Sequence, residues 1–133
     1  MRVLLDTNVI LDIWLAREPF WKDSAAVLAK AERKEIEGWI CPTTLTTLHY
    51  LGKKVLGERK TRSLLDQLIT ICKVGKLSRQ TFKVALDSEI TDFEDAVIEA
   101  VSIGSDIDLI ATRNIGDFKK SRITAKAPSQ IIQ

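Results

Sequence analysis

Short apolar runs alternate with longer helical patterns along this chain. The run at 2–5 stops at the polar residue Asp6, which is typical of a buried strand with polar residues at its carboxyl end. Similar short runs predict three more strands, at 39–41, 108–112 and 123–125. The intervening patterns predict helices at 9–15, 24–35, 43–56, 59–72 and 78–88, and one more from about 91 onward.

The start of that last helix has a pattern of its own. The spacing of Thr91 and Glu94 predicts a capping box, in which the two side chains bond each other's backbone N–H groups. An apolar stripe follows at helical spacing and consists of Phe93, Ala96, Val97, Ala100 and Val101. We therefore expect this helix to pack on the core through the stripe.

Strands separated by helices indicate an α/β fold, with a central, mainly parallel sheet covered by helices on both faces. With 133 residues, 45% hydrophobic and 29% charged, the composition predicts one domain spanning 1–133. Its 6 Gly and 3 Pro exclude disordered and collagen-like chains, and no apolar stretch is long enough to cross a membrane. Asp6 and Asp12 interrupt the apolar N-terminus, and no signal-peptide cleavage site follows, so we expect a cytoplasmic protein.

The two cysteines do not form a recognisable metal or redox motif. Cys41 and Cys72 are 31 positions apart, as their numbers show, and both lie in apolar surroundings. We predict buried, reduced thiols.

The net charge of +2 conceals a segregation of charge along the chain. Residues 53–83 contain nine basic and two acidic residues, whereas 84–112 contain eight acidic residues and no basic one. The stretch 113–126 is basic again, with five basic residues and one acidic residue. Such blocks fit solvated helix faces, and they also fit an acidic, cation-binding pocket between basic surfaces that attract a polyanion. Composition does not decide between the two.

A parallel sheet would bring three polar segments to one edge, where ligands of such folds bind. Asp6 and Asn8 follow the first strand, Asp92 and Asp95 begin a helix, and 114–117 follow a later strand. Carboxylate and amide oxygens are the ligands that Mg²⁺ and Mn²⁺ prefer. The pattern is therefore compatible with a divalent-cation site.

Each of these acids also has a purely structural interpretation. Asp92, Asp95 and Glu99 are spaced three and four apart, so we expect them on one helix face, where a cation would relieve their repulsion. Acids in a first helical turn are, however, favoured by the helix dipole alone. Asp6 at the end of an apolar strand needs partners, and an Asx-turn or the N-cap of the next helix would supply them.

Three segments, in this order, resemble the PIN domain family of metal-dependent nucleases. Residues 1–12 (MRVLLDTNVILD) look like its N-terminal signature, 92–96 (DFEDA) like its helical acid motif, and 112–114 with 117–118 (TRN and DF) like its last motif. The similarity runs from Met1 to about Pro128. It implies a three-layer α/β/α fold with a central, mainly parallel sheet.

The resemblance also implies roles for individual residues. Asp6, Asp95 and Asp117 match the catalytic, metal-binding acids, with Mg²⁺ or Mn²⁺ as cofactor. The further metal ligand and the supporting residues that it implies are Asp92, Asn8, Thr112 and Asn114. Two positions depart from the family pattern, because Thr47 (or Thr46) replaces the usual Glu of the second acidic helix and Asn114 replaces a common Asp. Each departure removes a negative charge, which predicts weaker metal binding.

The implied activity is hydrolysis of RNA phosphodiester bonds by a metal-dependent endoribonuclease. Stand-alone PIN domains of bacteria are often toxins of the VapC type, so the resemblance implies a small antitoxin as partner and a homodimer, with Trp14 and Trp21 at an interface. His49 is expected to have a packing or surface role. The basic residues expected to bind the RNA backbone are Lys53, Lys54, Arg113, Lys119 and Lys120.

Two other function classes remain open from the sequence. One is a catalytically weak or inactive PIN-like module that binds RNA or a protein, because Thr47 and Asn114 replace acids. The other is a phosphohydrolase with an aspartyl nucleophile after the first strand. That class is similar to strand-Asp-x-Asp, whereas this chain has Asp6-Thr7-Asn8.

Overall fold

The structure is a computed structural model that describes all 133 residues, and its centre is a five-stranded sheet. The strand order is β3-β2-β1-β4-β5, and all four neighbouring pairs are parallel. The first strand is therefore the central one, and the carboxyl ends of all five strands meet at one edge. The strands are β1 (Arg2–Leu5), β2 (Glu37–Ile40), β3 (Lys73–Val74), β4 (Leu109–Ala111) and β5 (Ala125–Lys126).

Seven α-helices and one 3₁₀ turn connect the strands. A 3₁₀ turn at Ile115–Phe118 follows β4. None of the helices is long and apolar enough to cross a membrane. The helices are α1 (Thr7–Trp14), α2 (Trp21–Glu32), α3 (Pro42–Leu56), α4 (Glu58–Ile71), α5 (Arg79–Leu86), α6 (Phe93–Gly104) and α7 (Pro128–Ile131).

Side chains of β1 alternate between two hydrophobic clusters, one on each face of the sheet. Val3 and Leu5 belong to a cluster that includes residues of α1 to α4, whereas Leu4 belongs to a cluster that includes α6. All three side chains are fully buried. A strand buried on both faces lies between two helical layers, so the predicted three-layer α/β/α fold with a parallel sheet is confirmed.

Two glycines let helices approach the sheet closely. A Cβ atom added at Gly38 would lie 2.8 Å from Cys72 Sγ and 2.9 Å from the Cβ of Ala31. One added at Gly75 would lie 2.4 Å from Val101 Cγ1.

Cys41 and Cys72 are buried free thiols, as predicted, and burial raises the pKa of Cys72 to about 12.

Most predicted elements are present, with ends that differ by one to three residues. The two-residue strand β3, the 3₁₀ turn and α7 were not predicted, because each is too short to show a period. The capping box at Thr91 is wrong. Asp92 is the N-cap of α6 instead, and its Oδ1 accepts a hydrogen bond of 3.0 Å from the backbone N–H of Asp95. Phe93 is consequently the first helical residue, and it is exposed instead of joining the apolar stripe.

Candidate functional site

The candidate site begins where β1 and β4 end side by side. Leu5 pairs with Ala111, and the backbone N–H of Asp6 donates to the Ala111 carbonyl over 2.9 Å. The next residues along the two strands, Asp6 and Thr112, are therefore neighbours. The Thr112 hydroxyl donates to Asp6 Oδ2 over 2.8 Å.

Asp6 is almost completely buried, and two further groups fix its carboxylate. Oδ1 accepts from the backbone N–H of Thr7 over 2.8 Å, so Asp6 is the N-cap of α1. Oδ2 accepts from the Asn8 amide over 3.1 Å as well as from Thr112. Burial raises the pKa of Asp6 above its usual range, although these hydrogen bonds act in the opposite direction. The capping role proposed for Asp6 is thus confirmed, and it leaves the carboxylate facing the cleft described next.

A cleft of roughly 260 Å³ opens at this edge of the sheet. It collects side chains from α1, α3, the start of α6 and the 3₁₀ turn, which are far apart in sequence. Most of its lining is polar. The lining includes Asp6, Asn8, Thr47, Asp92, Glu94, Asp95, Asn114 and Asp117.

Asp95 shows how strongly these acids influence one another. Burial raises its pKa most, and the charges of Asp6, Asp92, Asp117 and Glu94 raise it further, to about 7. Four neighbouring acids thus act on a carboxyl whose ionisation burial already disfavours. A cation in the cleft would offset these charges and favour the ionised form of Asp95.

The donor chemistry of the cleft fits a hard divalent cation. Its candidate ligands are carboxylate, amide and hydroxyl oxygens, without sulfur or imidazole. No three or more of the Asp, Glu, His or Cys side chains are yet drawn together around a single point. The acids thus fit Mg²⁺ or Mn²⁺ in donor type and charge.

The two departures from the family pattern both lie in the cleft. Thr47, not Thr46, faces it, because the Thr46 hydroxyl donates to the Thr43 carbonyl on the exposed side of α3. Across the cleft, the Thr47 hydroxyl donates to Glu94 Oε1 over 3.3 Å. The sequence pattern predicts no metal-binding role for Glu94, although this residue lies inside the DFEDA motif between two predicted metal ligands.

Two predicted RNA-binding lysines lie beside the cleft. A groove of roughly 670 Å³ shares Asp92, Asp95 and Asp117 with it and is lined on the far side by Lys119 and Lys120. Lysines next to an acidic site suit the binding of phosphate groups that flank a reacting one.

Lys53 and Lys54 are exposed near the end of α3 and do not line the cleft. Lys54 Nζ lies 3.9 Å from the centroid of the Tyr50 ring, also on the exposed surface. If they bind RNA, they do so away from the acids.

Arg113 is directed away from the cleft. Its guanidinium makes two hydrogen bonds, of 2.9 and 3.1 Å, to the fully buried carboxylate of Asp12, and its Cζ lies 4.4 Å from the Phe20 ring centroid. Arg17 contacts the same carboxylate at 3.6 Å. The backbone N–H of Arg113 donates to Asn8 Oδ1 over 3.1 Å. This geometry favours a positioning role for Arg113 over the predicted contact with RNA.

Glu99 does not share the acidic face of α6 that the sequence predicts. It is buried, and its carboxylate accepts hydrogen bonds from the Ser88 hydroxyl at 2.6 Å and from the backbone N–H of Arg122 at 2.7 Å. Position 99 is one full turn beyond Asp95, where the next loops cover the helix. Its paired carboxylate is therefore structural.

The aromatic and imidazole side chains considered from the sequence lie outside the cleft. His49 Nε2 lies 2.6 Å from Glu58 Oε2 and links α3 to α4. Trp14 is half-buried, with its ring beside Gly52, and the Trp21 indole N–H donates to Glu18. None of the three lines the cleft.

Comparison with solved structures shows the same fold over nearly the whole chain. VapBC2 from Rickettsia felis, bound to a DNA fragment from its promoter, matches with a TM-score of 0.73 and 18% identity, covering 96% of this chain and 98% of that one. DNA-bound VapBC from Salmonella typhimurium matches with a TM-score of 0.71 and 16% identity, covering 96% and 98%. FitAB bound to the IR36 DNA fragment matches with a TM-score of 0.70 and 18% identity, covering 95% and 94%.

The sequence itself identifies the family. No curated protein gives a significant match. The sequence profile described as PIN domain, however, matches residues 2–116, a span that contains β1 to β4, Asp6, Thr47, Asp95 and Asn114. The chain therefore belongs to the PIN domain family.

Proposed function

We propose that this protein is a metal-dependent endoribonuclease and the toxin of a toxin–antitoxin pair. The observation that best supports a nuclease is the acidic cleft at the carboxyl edge of the sheet, continuous with a groove that ends in Lys119 and Lys120. Family membership supports the same reaction class. The structural similarity to VapBC and FitAB supports a small antitoxin as partner.

Each cleft residue then has a distinct task. Asp6, Asp95 and Asp117 would hold Mg²⁺ or Mn²⁺, with Asp92 as a further acid at the rim. When bound, the ion supplies Lewis-acid activation of water and neutralises charge on the phosphate under attack. Thr112 and Asn8 hold the Asp6 carboxylate in place, and the N–H of Asn114 donates to the Thr112 hydroxyl over 3.0 Å. Lys119 and Lys120 bind neighbouring phosphates.

Cleavage of a mixed pool of structured and single-stranded RNAs tests this proposal. We expect cleavage with Mn²⁺ or Mg²⁺, none with EDTA, and a loss of at least 100-fold in Asp95→Asn, comparable to removing one preorganised electrostatic group. Glu32→Gln, which removes an exposed acid on α2, is the matched control and should cleave at the wild-type rate. Wild-type cleavage by Asp95→Asn would contradict the site assignment.

A second candidate is a PIN module that binds RNA or a protein without turnover. Thr47 and Asn114 favour it, since each lacks a charge that the family usually has. Metal binding and RNA binding in the absence of any cleavage, across the same RNA pool, would establish this alternative.

The proposed homodimer has a separate test. Trp14 is half-buried at the end of α1, and Trp21 is the first residue of α2. If Trp14 contributes to a dimer interface, Trp14→Ala will convert a dimeric mass to a monomeric one in light scattering. An unchanged oligomeric mass would contradict that role.

A further inference from the structure

The cleft lacks a carboxylate on α3 but contains one, inside the DFEDA segment, to which the family resemblance gives no role. Thr47 stands where the second acidic helix normally contributes a Glu, and the side chain that meets Thr47 is Glu94. We infer that Glu94 replaces the missing acid and ligates the divalent cation from α6. This inference rests on the proposed function, because it assigns a further ligand to the same cleft.

The backbone placement of Glu94 suits this role. Glu94 is in the first turn of α6, between the N-cap Asp92 and Asp95, and all three line the cleft. A Glu side chain is one methylene longer than that of Asp, so it reaches from α6 to α3. Its Oε1 accepts the Thr47 hydroxyl at 3.3 Å, a long hydrogen bond that is readily exchanged for a stronger ligand.

Glu94 shares the cleft with the other acids and has no basic partner of its own. Asp6, Asp92, Asp95 and Asp117 line the same cleft. None of the ion pairs in the structure involves Glu94, whereas Glu35, Glu37, Glu58 and Glu99 each have a basic partner. Glu94 therefore faces the cleft without a basic partner.

A favourable interaction with the helix dipole would also explain an acid at this position. That explanation predicts no connection with α3, because a first-turn acid needs no partner on another helix. The Thr47 contact distinguishes the two explanations, and it defines an experiment in which the carboxylate is moved from one helix to the other.

The test measures Mn²⁺ binding to the purified protein by isothermal titration calorimetry, without RNA. We expect Glu94→Gln to weaken Mn²⁺ binding roughly tenfold or more. The double variant Thr47→Glu/Glu94→Gln, which returns the carboxylate to α3, should recover most of the lost affinity. Glu32→Gln is the matched control and should bind like the wild type, and thermal denaturation checks that every variant is folded.

The possible results separate the inference from the function on which it rests. Wild-type affinity in Glu94→Gln, together with lost affinity in Asp95→Asn, would overturn the role of Glu94 and leave the metal site intact. Lost affinity in Glu94→Gln without recovery in the double variant would overturn the replacement of the α3 acid. A wild-type protein that does not bind Mn²⁺ at millimolar concentration would overturn both the inference and the proposed function.

Discussion

Asp12 and Arg113 join α1 to the loop that follows β4. Asp12 is completely buried, and two hydrogen bonds from Arg113 together with the Arg17 contact compensate its carboxylate for the lost solvation. The same Arg113 bonds Asn8 through its backbone N–H, and Asn8 bonds Asp6. The ion pair therefore fixes the backbone on which the cleft is built.

Arg113→Ala should accordingly destabilise the protein. Removing one partner of a buried ion pair leaves the other charge uncompensated, and we expect a loss of roughly 3 kcal/mol, at the lower end of the usual range because Arg17 remains. Urea denaturation measures the change. Arg33→Ala is the control, since Arg33 and Glu35 form an exposed pair, and its stability should stay close to wild type. Equal effects of the two substitutions would contradict the positioning role.

Asp95 predicts a stability that depends on pH in the metal-free protein. Its pKa is about 7 in the folded state and 3.8 in the unfolded chain, so the folded state binds more protons between these values. Stability due to this group must then fall as pH rises from about 4 to 7. We expect Asp95→Asn to raise the melting temperature by a few degrees at pH 8 and to leave it unchanged at pH 4.

If the cleft binds Mn²⁺ as proposed, adding the ion should make the wild type the more stable of the two proteins at pH 8, because the ion would stabilise the wild type but bind the variant poorly. Differential scanning fluorimetry at the two pH values, with and without Mn²⁺, measures both effects. A melting temperature of Asp95→Asn below that of the wild type at pH 8 without metal would argue against the raised pKa.

At the scale of elements, Glu99 connects α6 to two separate loops. Burial opposes its ionisation, but hydrogen bonds from Ser88 and from Arg122 outweigh that effect and lower its pKa below the usual range. The groove that contains Lys119 and Lys120 is lined by residues of two segments, 89–95 and 116–120. Ser88 comes just before the first segment, and Arg122 follows the second. A single buried carboxylate thus holds both sides of the groove against α6.

Glu99→Gln should loosen both loops together. An amide offers one acceptor oxygen where the carboxylate offers two, so one of the loops loses its bond, at a cost of about 1–3 kcal/mol. Hydrogen–deuterium exchange should accelerate in 87–91 and 119–123 and stay unchanged in α3. Asp87→Asn, which alters an exposed acid in the first loop, serves as control, and equal exchange in the two variants would refute the link.

Gly38 sets the distance between β2 and the helices that cover it. A Cβ atom there has no space between Cys72 and Ala31, so Gly38→Ala should cost about 1–3 kcal/mol through overpacking. Gly104 provides the control, because nothing lies within 4 Å of a Cβ added at the end of α6. Gly104→Ala should be neutral or slightly stabilising in the same denaturation experiment, and a comparable loss at both positions would contradict the packing argument.

At the scale of the whole molecule, the acidic block of the sequence contributes to the cleft, and of the two basic blocks only the later one lines the adjoining groove. Lys119 and Lys120 lie on this groove, whereas Lys53 and Lys54 lie elsewhere on the surface. On a single strand, each phosphate contact adds about 0.7 to the slope of log affinity against log salt. We expect Lys119→Ala/Lys120→Ala to reduce that slope by about 1.4 for single-stranded RNA, and Lys53→Ala/Lys54→Ala to reduce it less.

Fluorescence anisotropy with a labelled oligonucleotide over a range of KCl concentrations measures these slopes. A larger effect of the Lys53/Lys54 pair would move the RNA path from the groove to the end of α3. Arg113 contacts Asp12 and lines neither the cleft nor the groove. Arg113→Lys keeps the positive charge but loses the paired hydrogen bonds to Asp12, and we expect the salt slope to stay unchanged.

The sequence predicts the layers of this molecule better than its cleft. Buried positions carry apolar residues, and their spacing along the sequence differs between strands and helices. The sheet and most helices can therefore be predicted from the apolar pattern. The orientation of a side chain depends on what packs over it. Glu99 shows this, because nothing in its spacing reveals the loops that cover it, and Arg113 looks like a surface cation until Asp12 is placed beneath it.

The link between Asp6 and Thr112 spans 106 positions of sequence and forms only when β4 has paired with β1. A fragment that stops before Thr112 would contain nine of the eleven residues that line the cleft, but not Asn114, Asp117 or the hydroxyl that holds the Asp6 carboxylate. The arrangement of the cleft therefore depends on pairing between distant strands and not on any one local motif.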